Sequence, residues 1–249
     1  MAARDVSIRI PCSKCPLRDL ECFRDFTEKE VEFLHEFKQG ELTVNPGAPI
    51  VLEESNSPHL YTVLEGWGFR YKTLPDGRRQ ILNYVMPGDF IGLQSSVFEV
   101  MSHGVEALTE MMMCVFPRDK LWTLYTRHPT LAFDVTWLAS REERLLDEHL
   151  LTVGRRTAIE RVAFVIWHLY KRALSVGLAS GNRLDLPVTQ QHLADTLGLS
   201  LVHTNKTLKK LRANGCISVE ERTVEVLDKS KLIEIAQAQE HEEGPRPFL

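Results

Sequence analysis

The chain has 249 residues, enough for two modest domains or one large one with a buried core. A formal net charge of −4 excludes a protein that coats nucleic acid over its whole surface, so any such contact must come from a local patch. No apolar run approaches the roughly 20 residues that span a bilayer, and MAARDVSIRIPCSKC lacks an apolar core of signal-peptide length, so a soluble cytoplasmic protein without a membrane partner is expected.

Residues 1–27 read as an arm that carries Cys12, Cys15 and Cys22. In a cytoplasmic protein, five cysteines are expected to be free thiols, metal ligands or redox sensors rather than disulfides. Residues 28–127 read as a β domain. Short β-like runs such as LTVNPGAPIVLEE, LYTVLEGWGFRYKTLPDGRRQILNYVMPGDFIGL and MMMCVFPRDKL are separated by turn residues. Asp76-Gly77 after Pro75 is a strong hairpin signal, and many short strands with regular turns suggest a sandwich or barrel.

Residues 128–154 form a long helical stretch, and Gly154 is expected to end it. One seam runs Ala139, Glu143, Leu146, Leu150 and Val153; another runs Leu131, Val135, Leu138, Glu142, Leu145 and His149. Either could pair with a second copy as a coiled coil. Leu146 and Leu150 are the central candidates for a dimer interface, with Val153 on the same seam, and Leu138 with Leu145 form the alternative register. The opposite face would pack on the β domain.

Residues 155–240 begin with RRTAIERVAFVIWHLYKRAL, which has Ile159, Val162, Ala163, Ile166 and Leu169 on one side. VTQQHLADTLGLSLVHTNKTLKKLRANG follows and reads as two short helices around a tight turn. Thr189 caps the first helix, Gly198 permits the turn and Ser200 caps the second. Leu201, Thr204, Leu208 and Leu211 are expected to face inward from that second helix. His203, Asn205, Lys206, Lys209, Lys210 and Arg212 are expected to face outward. CISVEERTVEVLD then alternates like a small hairpin wing, and residues 241–249 are expected to be a disordered tail.

The outward face carries the functional reading. From His203 to Gly215 there are four Lys or Arg residues and no acidic one. Such a face releases counterions from phosphates, while polar side chains in the first turns reach base edges. A solvated amphipathic helix is the bland alternative. The paired caps, the turn glycine and the small polar residues favour double-stranded DNA as the partner. Thr189, Gln190, Ser200, Val202, His203, Asn205, Lys206, Lys209 and Lys210 are the candidate DNA-binding residues.

A β domain, a long helix and a winged helix-turn-helix, in that order, resemble the CRP/FNR family of bacterial transcription regulators. The residues carrying this resemblance are HLYTVLEGWGFRYKTLPDGRRQIL, PGDFIGL and the two-helix motif. The resemblance implies an α+β fold with a jelly-roll, cyclic-nucleotide-binding-like β domain. It also implies a homodimer, a palindromic operator and RNA polymerase as a partner. Gly88, Asp89, Phe90, Ile91 and Gly92 would lead into the effector loop.

The cyclic-AMP version of that loop needs a glutamate for the ribose and an arginine for the phosphate. Here Leu93 and Gln94 replace the glutamate, and no arginine occurs between Leu93 and Glu110, so cyclic AMP is not expected. Ser95, Ser96, Ser102 and His103 remain available to another small molecule. Cys12, Cys15, Cys22 and Cys114 resemble the FNR layout of iron–sulfur ligands, which implies a 4Fe–4S cluster and oxygen or redox sensing. The gap between Cys15 and Cys22 is one residue longer than in the best-known member. Tetrahedral zinc, or plain thiols with Cys114 in the core, stay open. Lys206 matches the family's guanine-reading arginine, and Val202 replaces a glutamate, so the operator should differ from those of the two well-known branches. A cupin-type enzyme is disfavoured because His59 and His103 stand alone without a His-x-His pair.

Overall fold

In the computed structural model, which describes residues 10–239 and 244–249, the elements follow the chain closely. Helix α1 (Glu28–Phe37) opens on a capping box in which Thr27 Oγ1 accepts from Glu30 N–H and the Glu30 carboxylate accepts from Thr27 N–H. Eight strands follow: β1 (Gly40–Val44), β2 (Pro49–Val51), β3 (His59–Glu65), β4 (Gly68–Thr73), β5 (Arg79–Val85), β6 (Phe90–Ile91), β7 (Gly104–Ala107) and β8 (Met111–Pro117). Helix α2 (Leu93–Phe98) lies between β6 and β7. Then come α3 (Leu121–Arg127), α4 (Pro129–Arg155) and α5 (Ala158–Ser175). The chain continues through β9 (Ala179–Ser180), β10 (Arg183–Asp185), α6 (Gln190–Leu197), α7 (Leu201–Ala213), β11 (Ile217–Glu220), β12 (Thr223–Val226) and α8 (Lys229–Ala236).

Contacts divide the chain into two units. The first comprises Met1–Lys72, Val85–Arg144 and Gly244–Leu249; the second comprises Thr73–Tyr84 and Leu145–Glu243. In the first, one antiparallel sheet runs β1–β8–β3–β6, and β7 pairs with both β2 and β4. Val63, Ile91, Met101, Val105, Met111 and Met113 belong to the apolar core. Strand β8 shows how a period of two assigns two roles. Met111 and Met113 enter that core, whereas Cys114 and Phe116 line a cavity with Leu34 of α1 and the arm.

In the second unit the sheet order is β11–β12–β10–β9. The wing seen in the sequence is β11–β12; β9 and β10 extend it and are too short to show a period. Most of strand β5, Arg79–Tyr84, falls within this unit. Its side chains bond to α6 there: Gln80 Nε2 donates to the Thr196 carbonyl at 2.9 Å, the Tyr84 hydroxyl lies 2.8 Å from Thr196 Oγ1, and Arg79 pairs with Asp195 at 3.1 Å.

Two expectations need correction. Helix α4 runs through Gly154 to Arg155, and Thr157 caps α5 with a Thr157–Glu160 box. A helical glycine costs only about 1 kcal/mol, so it does not by itself end a helix. The closing residues are not a free tail: Arg246, Phe248 and Leu249 are buried in the first unit. Residues 241–243 of that expected tail lie outside the described residues.

The two seams of α4 separate clearly. Leu131, Val135 and Leu138 are buried, and Leu145 is half-buried beside Leu82, Phe164 and Leu169 in a cavity of about 30 Å³. Leu146 and Leu150 are exposed, Leu150 at 69% of its surface, and Val153 is half-buried. The Leu138/Leu145 register is therefore committed within the chain. No helix among the described residues is long and apolar enough to cross a membrane.

Candidate functional site

The two-helix motif is built by its local chemistry. Thr189 Oγ1 accepts from His192 N–H at 3.1 Å, and His192 Nδ1 lies 3.3 Å from the Thr189 N–H it caps in return. Gly198 ends α6 at φ +63°, a conformation with little penalty only for glycine. Ser200 Oγ accepts from His203 N–H at 3.2 Å and starts α7. Arg161 Nη1 of α5 donates to the Leu197 carbonyl at 3.1 Å, satisfying one acceptor at the end of α6.

Helix α7 buries Thr204, Thr207, Leu208 and Leu211. Val202, His203, Lys206, Lys209, Lys210 and Arg212 are exposed. Two placements differ from the sequence expectation. Leu201 is 42% exposed, because it sits at the first residue of the helix beyond the buried part of its stripe. Asn205 is half-buried, and its Oδ1 has no hydrogen-bond partner among the described residues. Gln190 is exposed, while the Thr189 and Ser200 side chains are engaged as caps. Arg222, exposed at the two-residue tip between β11 and β12, adds a cation that the alternating pattern of the wing did not single out.

A second cluster lies in the first unit. Cys12, Cys15 and Cys114 line one cavity of about 20 Å³ together with Arg18, Phe116 and Phe248. Lys38, only 2% exposed, stands beside it. Its ammonium donates to the Ile10 carbonyl at 2.6 Å and pairs with Glu41, whose Oε1 also accepts from Ile10 N–H. Burial would lower the Lys38 pKa, but the bond to the Glu41 carboxylate outweighs it and the net shift is upward. Burial pushes Cys114 up to about 12 against the pull of Lys38, with Cys15, Cys12 and Glu41 adding to the rise. Burial also raises Cys15. The sequence offered no signal for Lys38, since a lysine ending an amphipathic helix ordinarily reads as surface.

Cys22 does not line that cavity. It stands against Arg246, and burial raises its pKa despite the nearby Arg246 and Arg141 cations. Among the described residues no three His, Cys, Asp or Glu side chains stand close enough together to hold a metal ion. Three of the four sequence-selected thiols thus converge on one cavity, and the set does not fit a four-thiolate centre in this arrangement. Cys216 is buried in the second unit near the Leu211 carbonyl.

The effector-loop residues are tied to their own chain. Ser95 Oγ donates to the Gly92 carbonyl at 2.7 Å, and Ser102 Oγ donates to Gln94 Oε1 at 2.6 Å. Arg118 Nη1 donates to the Ser95 carbonyl at 3.1 Å, bringing in a cation from beyond the Leu93–Glu110 stretch. Ser96 Oγ is buried without a partner among the described residues. Burial, with Arg70 and Lys72 nearby, depresses His103 to about 3.

Comparison with known proteins agrees with this layout. Residues 41–128 match a cyclic nucleotide-binding domain model and residues 160–235 match a Crp-like helix-turn-helix domain model. The chain is 31% identical over 228 residues to the nitrogen fixation regulation protein FixK of Bradyrhizobium diazoefficiens, covering 91% of this chain and 94% of that protein. It is 27% identical over 229 residues to the transcriptional activator protein FnrL of Cereibacter sphaeroides, covering 90% and 91%. The solved structure of FixK2 from Bradyrhizobium japonicum superposes with a TM-score of 0.73 at 27% identity, covering 80% of this chain and 98% of that one. The matched domains, the relatives and the capped recognition helix lead to one conclusion: the chain belongs to the CRP/FNR family of DNA-binding transcription regulators.

Proposed function

We propose that this regulator acts in the cytoplasm as a homodimer on a palindromic operator, with the thiol cavity of its first unit as the input. The observation that carries the DNA reading is α7: a Ser200-capped helix on a Gly198 turn, with His203, Lys206, Lys209 and Lys210 on its open face. Exposed Leu146 and Leu150 on α4 support pairing with a second copy, since a monomer would leave that stripe in water. A mobility-shift assay on upstream DNA tests the reading, run with full-length protein, with and without reductant. A retarded band that weakens in Lys206→Ala supports it; no band at micromolar protein refutes it.

For the input, Cys12, Cys15 and Cys114 around one cavity with Lys38 beside it support a thiol-based signal. A 4Fe–4S cluster, when bound, would supply an oxygen-labile centre. Its sequence-derived set of Cys12, Cys15, Cys22 and Cys114 requires Cys22 to leave Arg246 and join the other three. Anaerobic reconstitution with iron and sulfide is the test. Iron uptake lost in Cys114→Ser supports a metal-binding cavity, and equal uptake in that variant removes it.

A further inference from the structure

The last six residues of this sequence, Gly244–Leu249, occupy a groove in the first unit that is fitted to them. Arg246 N–H donates to the Cys22 carbonyl at 2.8 Å, and its carbonyl accepts from Arg24 N–H at 2.9 Å, so the segment runs parallel to the arm at Phe23. The Arg246 guanidinium donates to Asp89 Oδ1 at 3.2 Å and to the Pro87 carbonyl at 3.0 Å, and it lies 4.6 Å above the Phe23 ring. Phe248 packs edge-on against Phe23 at 5.0 Å and Phe26 at 4.8 Å. Phe248 and Leu249 are 4% and 5% exposed, and both line the cavity of Cys12, Cys15 and Cys114. Gly88 admits the Phe23 ring that walls this groove: a Cβ there would stand 2.1 Å from that ring.

A short segment stays seated in a groove only where specific groups hold it. Here the holding groups are specific: an ion pair, two backbone hydrogen bonds and an aromatic pocket. We propose that this groove is a binding site for the chain's own Arg-Pro-Phe-Leu segment, and that the seated segment caps the thiol cavity and governs access to Cys15 and Cys114. A six-residue segment opens more easily than a domain unfolds, so the cap can lift while the β domain stays intact. The inference is independent of any metal or cluster at the thiols.

The test is alkylation of the full chain with N-ethylmaleimide, read site by site by mass spectrometry, beside a variant ending at Glu243. Truncation should speed modification of Cys15 and Cys114 by at least about tenfold while Cys216, in the second unit, keeps its rate. The synthetic peptide Gly-Pro-Arg-Pro-Phe-Leu should restore protection, and a scrambled peptide should not. If truncation also exposes Cys216, the fold has loosened, and Phe248→Ala in the full chain decides instead by the same rates. Equal Cys15 and Cys114 rates in capped and uncapped proteins, or equal protection by the scrambled peptide, would overturn the proposal.

Discussion

Asp89 Oδ1 accepts a hydrogen bond from Arg141 Nη1 at 3.0 Å, and both side chains are buried. The pair ties the turn of the PGDFIG motif to α4 within the first unit. Its other oxygen, Oδ2, accepts from Met86 N–H at 2.9 Å, and Oδ1 also meets Arg246. Asp89→Ala would leave two guanidinium groups buried without their carboxylate. A loss of about 3–5 kcal/mol of stability is expected. Urea denaturation measures it, and a change below about 1 kcal/mol would show that the carboxylate does not hold the two arginines.

On α7, Lys206 and Ser200 should separate binding from folding. Lys206→Ala is expected to keep the fold, weaken DNA binding, and reduce the slope of log affinity against log salt by about 1. Ser200→Ala removes a cap and should cost about 1 kcal/mol of stability. Titrations by fluorescence anisotropy at several salt concentrations, alongside thermal melts, read both effects. Unchanged affinity in Lys206→Ala would remove it from the interface.

The two seams of α4 give opposite expectations for the same chemical change. Leu150 is 69% exposed, so Leu150→Asp should yield a folded monomer by light scattering. Leu138 is 4% exposed, so Leu138→Asp buries an unpaired carboxylate and should unfold the protein. A dimeric Leu150→Asp would place the interface elsewhere.

His103 predicts an acid sensitivity. Its folded pKa of about 3 lies below the ordinary 6.5, so the unfolded chain binds the extra proton. Its contribution to stability is complete above 6.5 and is lost as pH falls toward about 3. Denaturation midpoints between about pH 7 and pH 5 should fall less steeply in His103→Gln than in the parent. Identical slopes would rule out a neutral, buried His103 as the source.

The parts of this molecule legible in the sequence are those governed by local chemistry. Thr189, Gly198 and Ser200 are read from capping and turn rules that need no distant partner, and the structure has them in those roles. Periodicity sets the faces of α7 but not where its packed stripe stops, so it places Leu201 inside and does not mark Thr207. Spacing and resemblance single out Cys12, Cys15, Cys22 and Cys114, of which all but Cys22 line the cavity. They do not single out Lys38 and Arg246, because a buried cation is recognisable only once its partner, Glu41 or Asp89, is brought to it by the fold. Likewise, nothing in GPRPFL announces a docked segment until Phe23, Phe26 and Gly88 form its groove.

Selection from random double-stranded DNA, followed by sequencing of the bound pool, tests the central claim most directly. A dimer presenting two copies of α7 should enrich a two-fold symmetric sequence whose half-sites lie roughly 34–36 Å apart, centre to centre. Lys206→Ala should lose that enrichment. A pool with no enriched sequence, or with a single asymmetric half-site, would contradict a dimeric, sequence-specific regulator.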